Sequence, residues 1–343
     1  MIYPWQHDDW NRLQRLRAQW PHALLLYGQA GIGKLRFAQH LAQGMLCEAP
    51  TASGEPCGQC VACNWFVQGN HPDYRALLPE ALAGEAIGAV SGGADDKAEG
   101  EEGKKTRTLS KEIKIEQVRA LLDFCGIGAH RGGARVVLVY PADALNAASA
   151  NALLKTLEEP PAGVVFLLVS ARVDRLLPTI VSRCRQWPMS TPSAQQARAW
   201  LAEQGVADAP ALLAEAGGAP LAALALAADE NRGLRDFTLK QLAAGPACDA
   251  FACGEALQKL PVAVVLGWLQ RWLYDLVAER AAQRPRYFPA AQRELAQCAA
   301  RIDANAFARF MKTVTRERAV ENHPLNARLV FESLFLGYRD LFV

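Results

Sequence analysis

Residues 151–184 read NALLKTLEEPPAGVVFLLVSARVDRLLPTIVSRC, and the fold is decided here. Ala150, Leu153, Leu154 and Leu157 recur at helical spacing on one face. Pro160 and Pro161 end that helix, because proline has no N–H for the next backbone bond. Val164 to Val169 is then an unbroken apolar run, as expected of a strand buried on both faces of a parallel sheet. Ser182-Arg183-Cys184 closes the stretch with an arginine at a polar edge. A helix, a buried central strand and a polar rim form the layout of a nucleotide-binding α/β sheet.

The sequence upstream supplies the rest of that sheet. Residues 10–19 read as a short surface helix. His22 to Tyr27 predicts a strand, and Gly28-Gln-Ala-Gly31-Ile-Gly33-Lys34-Leu35 follows, leading into a helix that runs to about Leu46. Strand, glycine loop and helix give the context that a phosphate loop requires. Gly28, Gly31 and Gly33 let backbone amides close around phosphate, and the helix N-terminus adds its dipole. Lys34 has the reach for the outer phosphates. Position 35 is leucine, where such loops carry the hydroxyl that ligates magnesium. Two readings stand: a phosphate site without its metal, or a relic loop kept for the fold. Ile113 to Phe124 predicts a further helix, and Val136 to Tyr140 a second buried strand.

Four of the nine cysteines cluster as Cys47, Cys57, Cys60 and Cys63, with spacing C-x9-C-x2-C-x2-C. Three thiolates on one tight loop and a fourth from the end of the preceding helix suit a closed, tetrahedral, structural zinc site. An iron–sulfur cluster competes, although no Cys-Pro follows the run. A shell with His71 in place of Cys47 and a set of free thiols are the other readings. No nucleophile or partner motif accompanies His71, so no catalytic work is assigned to it. Cys125, Cys184, Cys248, Cys253 and Cys298 are scattered and read as small apolar residues.

The chain has 343 residues, enough for two or three domains, and 51% hydrophobic content, enough for a core. A net charge of +2 gives no bulk sign of a protein gripping nucleic acid alone, though a local basic patch stays open. The N-terminus lacks the regions of a signal peptide, and no apolar run is long enough to span a bilayer, so a soluble cytoplasmic protein is expected. Nine cysteines would be out of place there as disulfides. Residues 84–108 are rich in glycine, alanine and charge, and read as a flexible insertion or a tail for a partner. Pro188 to Pro192 reads as a linker. Beyond it the chain is helical, with Leu266, Leu269, Leu273 and Leu276 as one stripe and Trp268 and Trp272 adding bulk.

NALLKTLEEPP, the apolar strand and S-R-C together resemble the clamp-loader branch of the AAA+ ATPases, from Tyr3-Pro4-Trp5 to about Leu226 and more weakly beyond. The resemblance implies an AAA+ α/β domain over 1–187, with the zinc module at 47–63 and the insertion at 84–108. It also implies a small helical lid over 188–228 and a helical collar for oligomerisation over 229–343. In active members the strand before Asn151 ends in an Asp-Glu pair that holds magnesium and orients water. The matching positions are Tyr140 and Pro141, and Asp143 is out of register. The lid arginine that senses nucleotide is matched by Leu221. Hydrolysis is therefore not expected in this chain. Ser170 stands where a polar sensor is common and reads here as a strand-end hydrogen bonder. The resemblance assigns Arg183 to the ATP site of a neighbouring subunit. It implies a hetero-oligomeric ring with tau/gamma-type ATPase subunits and a delta subunit, which loads a sliding clamp onto primed DNA. The rival readings are a working ATPase, which Lys34 favours and an ATPase assay would reveal, and a zinc-dependent nucleic-acid-binding module. Against the latter, only Trp65 and Phe66 lie near Cys57–Cys63, without basic neighbours.

Overall fold

A computed structural model of the chain describes residues 1–84, 109–126, 130, 133–319 and 326–342. From residue 85 onward, the expected insertion at 84–108 lies outside the described residues. The chain forms two compact units, Met1–Pro192 and Ser193–Val343.

The first unit is built on five parallel strands: β1 (Ala23–Tyr27), β2 (Tyr74–Leu77), β3 (Arg135–Val139), β4 (Val164–Ser170) and β5 (Arg185–Pro188). Their spatial order is β2-β3-β4-β1-β5. β3 and β4 are buried at every position, which explains their unbroken apolar wording. β1 lies between β4 and β5 and pairs Leu25 with Leu168 and Tyr27 with Ser170. The C-terminal end of β4 therefore lies beside the glycine loop that follows β1. Ligands of open α/β sheets bind at such carboxyl ends.

Six helices accompany this sheet among the described residues: α1 (His7–Gln14), α2 (Lys34–Leu46), α3 (Val61–Val67), α4 (Ile115–Gly126), α5 (Ala147–Glu158) and α6 (Pro178–Arg183). Asn146 caps α5 by accepting from the Ser149 N–H, and Ala150, Leu153 and Leu157 are buried as the spacing predicts. The surface helix expected at 10–19 is α1, which already ends at Gln14; one face is exposed and the other is buried. Trp10 and Leu13, one turn apart, are buried, with the Trp10 ring edge-on to Phe37 at 5.9 Å. β3 begins one residue before the expected Val136, because Arg135 enters the sheet fully buried. Asp73 makes that burial tolerable. Its carboxylate is 3.3 Å from Arg135 Nη2, and the guanidinium lies over Phe124 at 4.4 Å. The Asn70–Tyr74 segment thus serves the sheet edge.

The second unit is helical among its described residues. α7 (Ala194–Glu203), α8 (Ala209–Glu215) and α9 (Pro220–Ala227) bury Ala197, Leu201, Leu212 and Ala223 in one cluster. α10 (Arg232–Ala243), α11 (Ala250–Leu257), α12 (Val262–Ala282), α13 (Gln292–Ala299), α14 (Ala304–Ala319) and α15 (Ala327–Arg339) surround a second, larger cluster. The leucine stripe of α12 is buried as expected, and Trp268 and Trp272 are buried with it. Trp272 Nε1 donates to Tyr338 Oη (2.9 Å), which in turn donates to the Leu242 carbonyl (2.7 Å). Both tryptophans are therefore core residues. Among the described residues no single helix is long and apolar enough to cross a membrane.

Candidate functional site

The glycine loop leaves β1 at Gly28 and delivers Lys34 to the first turn of α2. Gly33 caps that helix with φ +89°, a left-handed conformation that favours glycine. A Cβ at this position would run into the Tyr3 ring, so the site is closed to side chains on steric grounds as well. The N-terminal turn braces the loop from the carbonyl side. Trp5 Nε1 donates to the Ile32 carbonyl (3.0 Å), and Gln6 Nε2 donates to those of Ile32 (3.0 Å) and Gly33 (3.1 Å). All three contacts fall on loop carbonyls. No sequence motif marks Trp5 and Gln6 for this role.

Lys34 is buried and its ammonium donates to the carbonyls of Gly28 (2.8 Å) and Gln29 (2.6 Å). Burial lowers its pKa to about 8, against the opposing pull of Asp143. Leu35 offers no oxygen for a metal. β3 ends at Val139, and Tyr140 and Pro141 follow it with no carboxylate. Asp143, out of register in sequence, sits on the short turn after them and accepts from the Ser170 hydroxyl at 2.6 Å. Ser170 Oγ also accepts from the Arg172 N–H (2.9 Å), so the strand-end role read for Ser170 has two bonds behind it. One carboxylate thus faces the loop lysine, and its Oδ1 is already engaged by a hydroxyl.

The four clustered cysteines come together. Their sulfurs all lie within 4.8 Å of one another, and the set can hold a metal ion. Cys47 caps the C-terminal end of α2, and Cys60 is the N-cap of α3, accepting from the Cys63 N–H. Cys47 and Cys60 sulfurs are 3.9 Å apart. Backbone N–H groups of Cys57, Cys60 and Cys63 point at the sulfurs of Cys47, Cys57 and Cys60 at 3.3–3.4 Å. The N–H groups of Gln59 and Cys60 draw the half-buried Cys57 thiol down to about 6, while burial pushes Cys63 up to about 12. A bound cation would make thiolates of all four. His71 stays outside this group. Its Nδ1 accepts from the Asp73 N–H (3.1 Å), and its ring meets the edge of Trp65. The five other cysteines are buried singly or, for Cys248 and Cys253, beside each other, as small apolar residues would be.

Arg183 is the last residue of α6 and remains partly exposed. Its Nη1 donates to the Thr179 carbonyl (2.8 Å), and its Nη2 is ion-paired to Glu158, the last residue of α5. No sequence motif marks this pair, whose members are 25 residues apart.

Comparison with known proteins agrees with this architecture. Residues 6–193 match the family described as DNA polymerase III, delta subunit. The DNA polymerase III subunit delta' of Pseudomonas aeruginosa is 39% identical over 289 residues, covering 80% of this chain and 77% of that protein. Its counterpart from Escherichia coli K12 is 34% identical over 279 residues, covering 80% and 75%. The tau subunit of Salmonella typhimurium is 33% identical over 177 residues, 52% of this chain but 23% of that protein. With its phosphate-loop sheet, its cysteine cluster and these similarities along most of its length, the chain belongs to the DNA polymerase III subunit delta' family.

Proposed function

We propose that the chain is the non-hydrolysing delta-prime subunit of a DNA polymerase III clamp loader, acting in the cytoplasm. Its partners would be tau/gamma ATPase subunits, the delta subunit and, through the complex, the sliding clamp and primed DNA. The observation that carries the silent role is the unfinished phosphate loop. Lys34 is present, but Leu35, Tyr140 and Pro141 stand where a magnesium ligand, a metal carboxylate and a water-orienting carboxylate would be needed. Phosphoryl transfer in this class depends on those parts for charge neutralisation and positioning. Asp143 does not replace the pair, because it is a single acid already bonded to Ser170. Gly28, Gly31, Gly33 and Lys34 are left as a loop able at most to hold phosphate.

The active contribution in this reading is Arg183, offered to the ATP site of a neighbouring subunit. It lies on a helix end and keeps part of its guanidinium in solvent. A permanently charged planar fork matches phosphate oxygens in a way lysine does not. Cys47, Cys57, Cys60 and Cys63 would hold zinc. Four thiolates about 2.3 Å from a tetrahedral ion lie about 3.8 Å apart, close to the 3.9 Å between Cys47 and Cys60. With no open position, the ion would brace the loop between α2 and α3. The helices of 188–228 and 229–343 would act as lid and collar.

The test is reconstitution with wild-type or Arg183→Ala chain, with clamp and primed DNA present. The isolated chain should show no magnesium-dependent turnover. Arginine fingers are worth about 10³–10⁵ at their own site. The complex has further sites, so its total ATPase should fall less than that, and clamp loading should fall with it. Unchanged ATPase and loading would remove Arg183 from the mechanism. Robust turnover by the isolated chain, lost on Lys34→Ala, would instead make it a working ATPase.

A further inference from the structure

Glu158, the last residue of α5, and Glu159, its C-cap, are both exposed, yet only Glu158 meets Arg183 among the described contacts. A guanidinium carries five N–H groups. Arg183 uses one on Nη1 for the Thr179 carbonyl of its own helix and one on Nη2 for the Glu158 carboxylate. The anchors come from different elements and hold different nitrogens, so they fix the plane of the guanidinium as well as its position. Without Glu158 the side chain would keep one tether, one turn back along α6, and could swing about its remaining torsions. An arginine that acts on a neighbour's phosphate gains most when it is oriented before the neighbour arrives.

We propose that Glu158 is the positioning residue of Arg183, setting the angle at which the guanidinium is presented to the ATP site of the adjoining subunit. This rests on the trans role proposed for Arg183. The carboxylate acts as an acceptor held at the end of α5, so its geometry matters more than its charge. A glutamine in its place keeps an oxygen in reach of Nη2, whereas an alanine does not. Glu159 carries the same charge one residue away without that contact, and serves as the control for charge alone.

The experiment compares assembled complexes carrying the wild-type chain, Glu158→Ala, Glu158→Gln, Glu159→Ala, Arg183→Ala and the double Glu158→Ala/Arg183→Ala. ATPase is measured with clamp and primed DNA at varied ATP. Glu158→Ala should lower kcat several-fold with little change in KM, because an oriented arginine acts on the transition state. Glu158→Gln should restore most of that loss, and Glu159→Ala should lose little. The double variant should be no worse than Arg183→Ala alone. A second readout uses the isolated chain: NMR of the labelled guanidinium should show faster rotation and N–H exchange at Arg183 in Glu158→Ala than in wild type. If Arg183→Ala lowers ATPase but Glu158→Ala leaves it unchanged or raises it, Glu158 has no positioning role while the trans arginine stands. If Glu158→Gln is as impaired as Glu158→Ala, charge rather than acceptor geometry is responsible and the proposal is wrong. If Arg183→Ala itself has no effect, the underlying reading fails and this inference goes with it.

Discussion

Replacing Asp73 by alanine tests how the sheet edge is held. Asp73 and Arg135 are 2% and 1% exposed, and their charged atoms are 3.3 Å apart. Asp73 also accepts from the backbone N–H of His130 at 3.0 Å. Removing one member of a buried pair leaves a charge in the interior without its counterion and costs about 3–5 kcal/mol. Here Arg135 would keep the Phe124 carbonyl and the face of its ring, so about 3 kcal/mol is expected, the lower end of that range. That is a large share of the roughly 5–15 kcal/mol that stabilises a typical domain. Urea unfolding combined with hydrogen exchange at the β2 and β3 amides would measure it at the right place. Adding Arg135→Met should recover about 2 kcal/mol, because an apolar replacement of a whole buried pair is close to neutral. The pair also has a pH signature. Burial by itself pushes the Asp73 carboxyl up, but the His130 N–H and the Arg135 guanidinium outweigh it and hold it below the usual carboxylate range. Its contribution is therefore present above the unfolded value near 3.8 and lost as pH falls below it. A cost under about 1 kcal/mol, the worth of an exposed pair, would refute the reasoning.

Two further outcomes follow from other parts of the first unit. Purified protein should carry about one zinc per chain; chelation or Cys60→Ser should raise hydrogen exchange over 47–67 while the amides of β1 and β4 keep their protection, and a folded, unoxidised, metal-free protein would count against the site. His40 is 8% exposed beside Trp10, and burial lowers its pKa from 6.5 to about 4. The folded form resists protonation, so this contribution to stability is complete above about pH 6.5 and falls as pH drops toward 4, by at most about 3.5 kcal/mol at about 1.4 kcal/mol per pH unit. Thermal melts of His40→Gln should lose that slope between these limits, and an unchanged slope would assign it to other groups.

Much of the site was legible because its signals are local. The cysteine spacing brings four sulfurs together through a tight loop and one helix end, and the glycine loop is continuous in sequence. At positions 35, 140 and 141 residue type alone shows that Leu35, Tyr140 and Pro141 offer no aliphatic hydroxyl and no carboxylate. The unbroken apolar wording of Val136–Val139 and Val164–Val169 required strands covered on both faces, because no other strand environment tolerates so few polar residues. The helical stripe of α12 was equally plain. Other features were hidden because they depend on partners remote in sequence. The packing of Trp10 on Phe37 is one of them, since a short amphipathic stretch does not reveal what will cover its apolar face. Arg135 was left out of its strand because a buried arginine is admissible only once Asp73 is placed beside it. The bond from Ser170 to Asp143 spans 27 residues and depends on the turn after β3. Trp5 and Gln6 reach the glycine loop across 26 or 27 residues, and Glu158 reaches Arg183 across 25. By itself, then, the sequence determined the family, the sheet and the clustering of the four cysteines, because each rests on residue type at short spacing. Only the tertiary structure decided which charges are paired and which side chains brace the loop, because hydrogen bonds and ion pairs depend on ångström-scale distances that chain order does not record.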